Sequence, residues 1–149
     1  MNELAHILLV EDNRMDVELT LDAFHEAKLV NTIHVASNGQ EALDYLYGRG
    51  RYVDRLAFPM PNLVLLDLKL PGIEGFEVLR QVKSTPILKR LPVVILTSSK
   101  EEGDRALSCD QGANSYLVKP VSFEGFLSVV RQINGYWLSL NVAPPVGEA

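Results

Sequence analysis

Five short apolar runs punctuate the chain: His6–Val10 (HILLV), Ile33–Ala36 (IHVA), Leu63–Leu66 (LVLL), Val93–Leu96 (VVIL) and Ser115–Val118 (SYLV). The first, third and fourth lack alternation and are rich in Val, Ile and Leu, the pattern of strands buried on both faces of a parallel sheet. Helical spacing fills the intervals. Val17, Leu21 and Phe24, with Thr20 and Ala27, share one face of a helix predicted from Arg14 to Ala27. Asn38-Gly39 precedes a short helix, Gln40 to Tyr47. Phe76, Leu79 and Val82 mark a third, ending near Thr85 because Pro86 follows. Glu101 to Asp110 reads as a fourth, closed by Gly112. Ser122 reads as the N-cap of a fifth, with Phe123, Phe126, Leu127, Val130 and Ile133 as its apolar stripe.

Strands alternating with helices predict an α/β, doubly wound (βα)5 architecture with a parallel sheet and right-handed crossovers. Two segments exceed that minimum: a long connection from Gly48 to Pro61, and a tail from Tyr136 to Ala149 that begins apolar and ends rich in Pro and Gly. The 149 residues suit one domain, and a composition 47% hydrophobic and 22% charged suits a packed core. A net charge of −5 with scattered basic residues argues against nucleic acid as a partner. Cys109, expected on the fourth helix and partly buried, is the only cysteine, so neither an intramolecular disulfide nor a cysteine metal cluster is available. No apolar segment approaches membrane-spanning length, and the N-terminus turns acidic too early for a signal peptide, so no membrane and a cytoplasmic location are expected. His6, His25 and His34 show no metal-ligand spacing and read as ordinary surface or sheet residues.

In doubly wound sheets ligands bind at the carboxyl ends of the strands. Strand one ends in Glu11 and Asp12, strand three in Asp67, strand four in Thr97 and Ser98, strand five in Lys119 and Pro120. Taken singly, an acid after a strand is a helix cap, Thr97 likewise, and Lys119-Pro120 a turn with a solvated charge. Together they bring three carboxylates, a hydroxyl and an ammonium to one edge. Two like charges about 4 Å apart repel by about 4 kcal/mol at an effective dielectric near 20. Lys119 offsets part of this, and a hard divalent cation such as Mg²⁺, which prefers oxygen ligands, offsets more. The chemistry that fits is phosphoryl transfer onto an aspartate.

The segments Val10-Glu-Asp-Asn13, Leu65-Leu-Asp-Leu-Lys-Leu-Pro-Gly72, Leu96-Thr-Ser98 and Val118-Lys-Pro120 resemble the motifs of the receiver domain of two-component response regulators, in the correct order over residues 5 to 135. The resemblance implies a flavodoxin-like sheet of strand order 2-1-3-4-5 and a receiver domain spanning residues 1–135. It implies that Asp67 is the phosphoacceptor, taking phosphate from a sensor histidine kinase, and that the protein is a signalling phosphoacceptor rather than an enzyme with a separate substrate. Glu11, Asp12, Asp67 and the backbone carbonyl of Lys69 would hold Mg²⁺, with Mn²⁺ or Ca²⁺ as substitutes. Lys119 would pair with Asp67 and then with a phosphate oxygen. Pro120 would follow a cis peptide. Thr97 would move to the phosphate, and Tyr116 would turn inward as the switch aromatic, changing the surface of helix four, strand five and helix five. The side chains of Lys69 and Ser99 hold positions that tune phosphoryl lifetime in the family; a solvated loop lysine is the plain alternative.

No second core, basic helix or catalytic motif follows the receiver pattern, so output through protein contact is expected: a stand-alone regulator, or alternatively a phosphorelay shuttle or phosphate sink. The Gly48-to-Pro61 insert and the NGYWLSLN segment are similar to single-domain regulators that partner bacterial phytochromes, making a bacteriophytochrome kinase the implied partner. Trp137 and Leu138, in the arm at residues 136–149, are candidate contacts of a homodimer formed with helix five; an arm folded onto its own subunit is the alternative. Three rival functions fit less well. A haloacid-dehalogenase-type phosphatase needs a second acid where Lys69 stands. A degenerate receiver would lack core residues that are all present. A flavodoxin-like redox protein would need a phosphate cradle where Glu11 and Asp12 stand.

Overall fold

The computed structural model describes residues 5–26, 31–108, 111–125 and 128. The elements run β1 (Ala5–Val10), α1 (Arg14–Glu26), β2 (Asn31–Ala36), α2 (Gly39–Tyr47), a 3-10 turn (Gly50–Tyr52), β3 (Leu63–Asp67), α3 (Gly75–Ser84), β4 (Val93–Thr97), α4 (Lys100–Ala106) and β5 (Ser115–Val118). The five strands are parallel in the order β2-β1-β3-β4-β5. Every residue of β3 and β4 is buried, as their unbroken apolar runs require. β2 begins two residues earlier than its apolar run, because Asn31 and Thr32 pair in register with Ala5 and His6.

The sheet divides two cores. Leu8, Val10, Val64, Leu66, Val93 and Ile95 face α2 and α3, which contribute Leu43, Leu46, Val78, Leu79 and Val82. Ile7, Leu9, Leu63, Leu65, Val94 and Leu96 face Phe24 and Val17 of α1. The expected stripe of α1 is corrected at Leu21, which is 37% exposed, while Ala23 and Thr20 are half-buried. Ala27 lies outside the described residues.

The fourth helix is shorter than expected. The Leu107 N–H is shared between the carbonyls of Gly103 and Asp104, and Ser108 donates to Arg105, so the helix tightens and stops at Ala106. Ala113 then donates to the Ala106 carbonyl, returning the chain through Gly112 at φ 77° into β5. Residues 123–125 are helical, and the Gly125 N–H donates to Ser122 Oγ at 2.9 Å, the N-cap bond expected there. Phe126, Leu127, Val130, Ile133, Cys109, Trp137, Leu138 and the arm at 136–149 lie outside the described residues.

Arg55 ties the insert between α2 and β3 to the end of α2. Arg55 donates from Nη1 to the carbonyls of Tyr45 (2.7 Å) and Phe58 (3.0 Å), and from Nη2 to that of Leu46 (2.8 Å). Tyr45 and Leu46 lie in the last turn of α2, where carbonyls lack intrahelical donors, and the Tyr45 carbonyl also accepts the Gly48 N–H at 3.2 Å. Phe58 packs edge to face against Tyr45 and Tyr52, whose own rings are tilted at 53° to each other. His34 stacks on His6 and abuts Tyr45, so two of the three histidines meet across β1 and β2, with Nδ1 of His6 3.4 Å from Nε2 of His34.

Candidate functional site

The site forms where the central strands leave the sheet. Glu11 extends β1 by one rung, its N–H donating to the Ala36 carbonyl at 3.0 Å, and its side chain is 1% exposed. Asp12 is exposed. Neither acid caps α1. That role falls to Asn13, whose Oδ1 accepts the Asp16 N–H at 3.1 Å and whose carbonyl accepts that of Val17. Asp12 is thereby left outside the cap.

Asp67 ends β3 with 5% exposure. Its Oδ1 accepts the Lys69 N–H at 3.0 Å, which turns the backbone immediately after the strand. The loop passes through Gly72, in the left-handed region at φ 72°, and returns at Gly75, whose N–H donates to the Leu68 carbonyl. A Cβ on Gly75 would lie 2.4 Å from the Asp67 carbonyl oxygen, so only glycine permits α3 to start this close to the strand. The Lys69 side chain is exposed and lines an open groove with Asp12, Glu74, Phe76, Glu102 and Arg105.

One carboxylate oxygen from each of Glu11, Asp12 and Asp67 lies within 4.8 Å of the others. An all-oxygen set of this kind fits a hard divalent cation. Lys119 enters from β5 and its Nζ donates to Glu11 Oε1 (2.6 Å), Asp16 Oδ2 (2.9 Å) and Asp67 Oδ2 (3.0 Å). Burial pushes the Lys119 ammonium down, but the three carboxylates outweigh it and hold it well above its ordinary value. Burial, and after it the hydrogen bond with Asp67, raises Glu11 to about 7, against the lowering effect of Lys119. The Lys119-Pro120 peptide is cis.

At the end of β4, Thr97 is 1% exposed. Its hydroxyl accepts the Ser99 N–H and donates to Glu102 Oε1, both at 3.1 Å. The cap of α4 is Ser99, whose Oγ accepts the Glu102 N–H at 3.3 Å. Tyr116, half-buried on β5, donates its hydroxyl to Asp104 Oδ1 at 2.7 Å, which raises the phenol.

The fold thus brings together Glu11, Asp12, Asp67, Thr97 and Lys119. Asp16 and Glu102 were missed by the sequence reading. Asp16 carries only the signal of an acid in a first helical turn, which the helix dipole explains without reference to Lys119, 103 residues away. A buried carboxylate braced by an ammonium, beside an oxygen-rich cation site, can act as a nucleophile toward phosphorus.

A family model described as the response regulator receiver domain matches residues 7–131. The probable methanogenesis regulatory protein FilR2 of Methanothrix harundinacea is 41% identical over 93% of this chain and 86% of its own. The response regulator Rcp1 of Synechocystis is 36% identical over 93% of this chain and 92% of its own. The structure of the Mn²⁺-bound form of Rcp1 is similar at a TM-score of 0.73 and 36% identity, covering 94% of this chain and 99% of its own. The bacteriophytochrome response regulator RtBRR is similar at a TM-score of 0.84 and 46% identity, covering 95% of this chain and 85% of its own.

Proposed function

The chain belongs to the response regulator receiver domain family, and from that premise we propose that it accepts a phosphoryl group on Asp67 from a sensor histidine kinase. An Asp67 oxygen attacks the phosphorus of a kinase phosphohistidine. The P–O bond forms as the P–N bond breaks, and the imidazole leaves with the electron pair. Glu11, Asp12, Asp67 and the Lys69 carbonyl are the proposed ligands of Mg²⁺, which when bound supplies charge neutralisation at the transferred oxygens. Lys119 holds Asp67 in place and then turns one N–H to a phosphoryl oxygen. Thr97 donates a hydrogen bond from its hydroxyl to another, Tyr116 follows, and the surface around α4 and β5 changes with them.

The observation that carries this reading is the contact of Lys119 Nζ with Asp67 Oδ2 beside the Glu11, Asp12 and Asp67 oxygens. The names borne by RtBRR and its likeness to this chain support a bacteriophytochrome kinase as the partner. The domain is proposed to span residues 1–135, with Trp137 and Leu138 of the remaining arm contributing to a homodimer. Intact mass after incubation with acetyl phosphate tests the chemistry. The expected result is one added phosphoryl group that requires Mg²⁺ and is lost in Asp67→Asn. Equal labelling of Asp67→Asn would overturn it.

A further inference from the structure

Ser99-Lys-Glu-Glu102 has the S-x-x-E spacing of a capping box, in which the N-cap serine accepts the N–H of the third helical residue and that residue's carboxylate reaches back to the serine N–H. Half of the box is made: Ser99 Oγ accepts the Glu102 N–H at 3.3 Å. The other half is interrupted. The Ser99 N–H donates instead to Thr97 Oγ1 at 3.1 Å, and the Thr97 hydroxyl donates in turn to Glu102 Oε1 at 3.1 Å. A strand-end hydroxyl stands between the serine N–H and the carboxylate that would ordinarily meet.

This arrangement constrains how Thr97 can leave. Its hydroxyl has one proton, so it cannot serve Glu102 and a phosphoryl oxygen together. Withdrawal toward Asp67 would also strip the Ser99 N–H of its acceptor, and an orphaned backbone donor is costly. Glu102 removes that penalty. Once the hydroxyl is gone, its carboxylate is free to take the Ser99 N–H and complete the box, replacing a neutral acceptor by a charged one. Each group left by Thr97 finds a partner in the other.

We propose that Glu102 is a positioning residue that exchanges partners with the switch: it holds the Thr97 hydroxyl before phosphorylation and closes onto the Ser99 N–H afterwards. The inference rests on the reading of Asp67 as phosphoacceptor and Thr97 as the group that answers it. The exchange has two defined end states, each with every hydrogen bond satisfied, and it transmits the event at Asp67 to the start of α4.

The Ser99 amide proton reports the exchange in a backbone NMR spectrum of the full chain, with Mg²⁺ and beryllofluoride as the phosphoryl mimic. In the native chain the mimic should move the Ser99 amide downfield and slow its hydrogen exchange. Glu102→Ala should lose that shift, and Glu102→Gln, whose amide oxygen can still close the box, should keep it. Thr97→Val, lacking the intervening hydroxyl, should place the Ser99 amide near its activated position with no mimic present. The same shift in Glu102→Ala as in the native chain would overturn the exchange. Absence of any Mg²⁺-dependent response to the mimic in the native chain would instead overturn the phosphoacceptor reading beneath it.

Discussion

Lys119 has three protons and three carboxylates take them, two of which belong to side chains at most 7% exposed. Removing the ammonium strands buried acids without a counter-charge, a change that costs about 3–5 kcal/mol. Lys119→Met should therefore lower stability by that order in urea denaturation without metal. Saturating Mg²⁺ should restore part of it, because the ion binds only the folded acid cluster. Equal losses with and without Mg²⁺ would argue against cation binding there. His34 makes a pH prediction of a different kind. Burial, and then the charge of His6, lowers its pKa from the usual 6.5. The folded state thus binds this proton less readily than the unfolded chain does. Stability is full above about pH 6.5, where His34 is neutral in both states, and is lost as pH falls below it. His34→Phe should flatten the pH dependence of the denaturation midpoint between pH 7 and 5; an unchanged slope would remove His34 as its source. These two residues were unequally legible. Lys119 declared itself by standing at a strand end, where parallel topology dictates convergence. The contact of His34 with His6 depended on the register of β1 against β2, which local spacing does not reveal.

At the scale of elements, α4 carries a glycine where helix propensity alone would favour alanine by about 1 kcal/mol. A Cβ on Gly103 would lie 2.3 Å from Cδ1 of Tyr116, so the ring occupies the space that a side chain would need. Gly103→Ala should destabilise the protein by about 1–3 kcal/mol through overpacking. In a Tyr116→Ala background the same change should be neutral or stabilising, and a urea denaturation cycle of the four proteins measures the difference. Additive effects would mean that the ring and the helix do not compete for this space. The insert offers a parallel case. Arg55→Ala removes the donor to three carbonyls and should cost about 1–3 kcal/mol, with hydrogen exchange faster across residues 48–60 than elsewhere. Apolar runs revealed the strands, because burial on both faces leaves a plain mark on composition. Arg55 left none: its partners are backbone carbonyls, two at the end of α2 and one in the insert, and any residue type can supply those. Glu102 was hidden for a related reason, since an acid in a first helical turn is ordinary.

For the whole molecule, the proposed homodimer predicts that light scattering on the full chain gives about twice the mass of a monomer at micromolar concentration, and that a chain ending at Gly135 gives a monomer. Equal masses for both would count against the arm. The arrangement of the sheet also bears on synthesis. Glu11 and Lys119 are joined at 2.6 Å although 108 positions separate them, and Asp67 lies 52 positions before the lysine. Domains emerge from the ribosome amino end first. All three carboxylates that Lys119 joins are therefore made before it, and it directly follows β5, the last strand among the described residues. A nascent chain stalled before residue 119 would expose its acids without this partner, so competence to receive phosphate should appear abruptly and late in translation rather than grow with chain length.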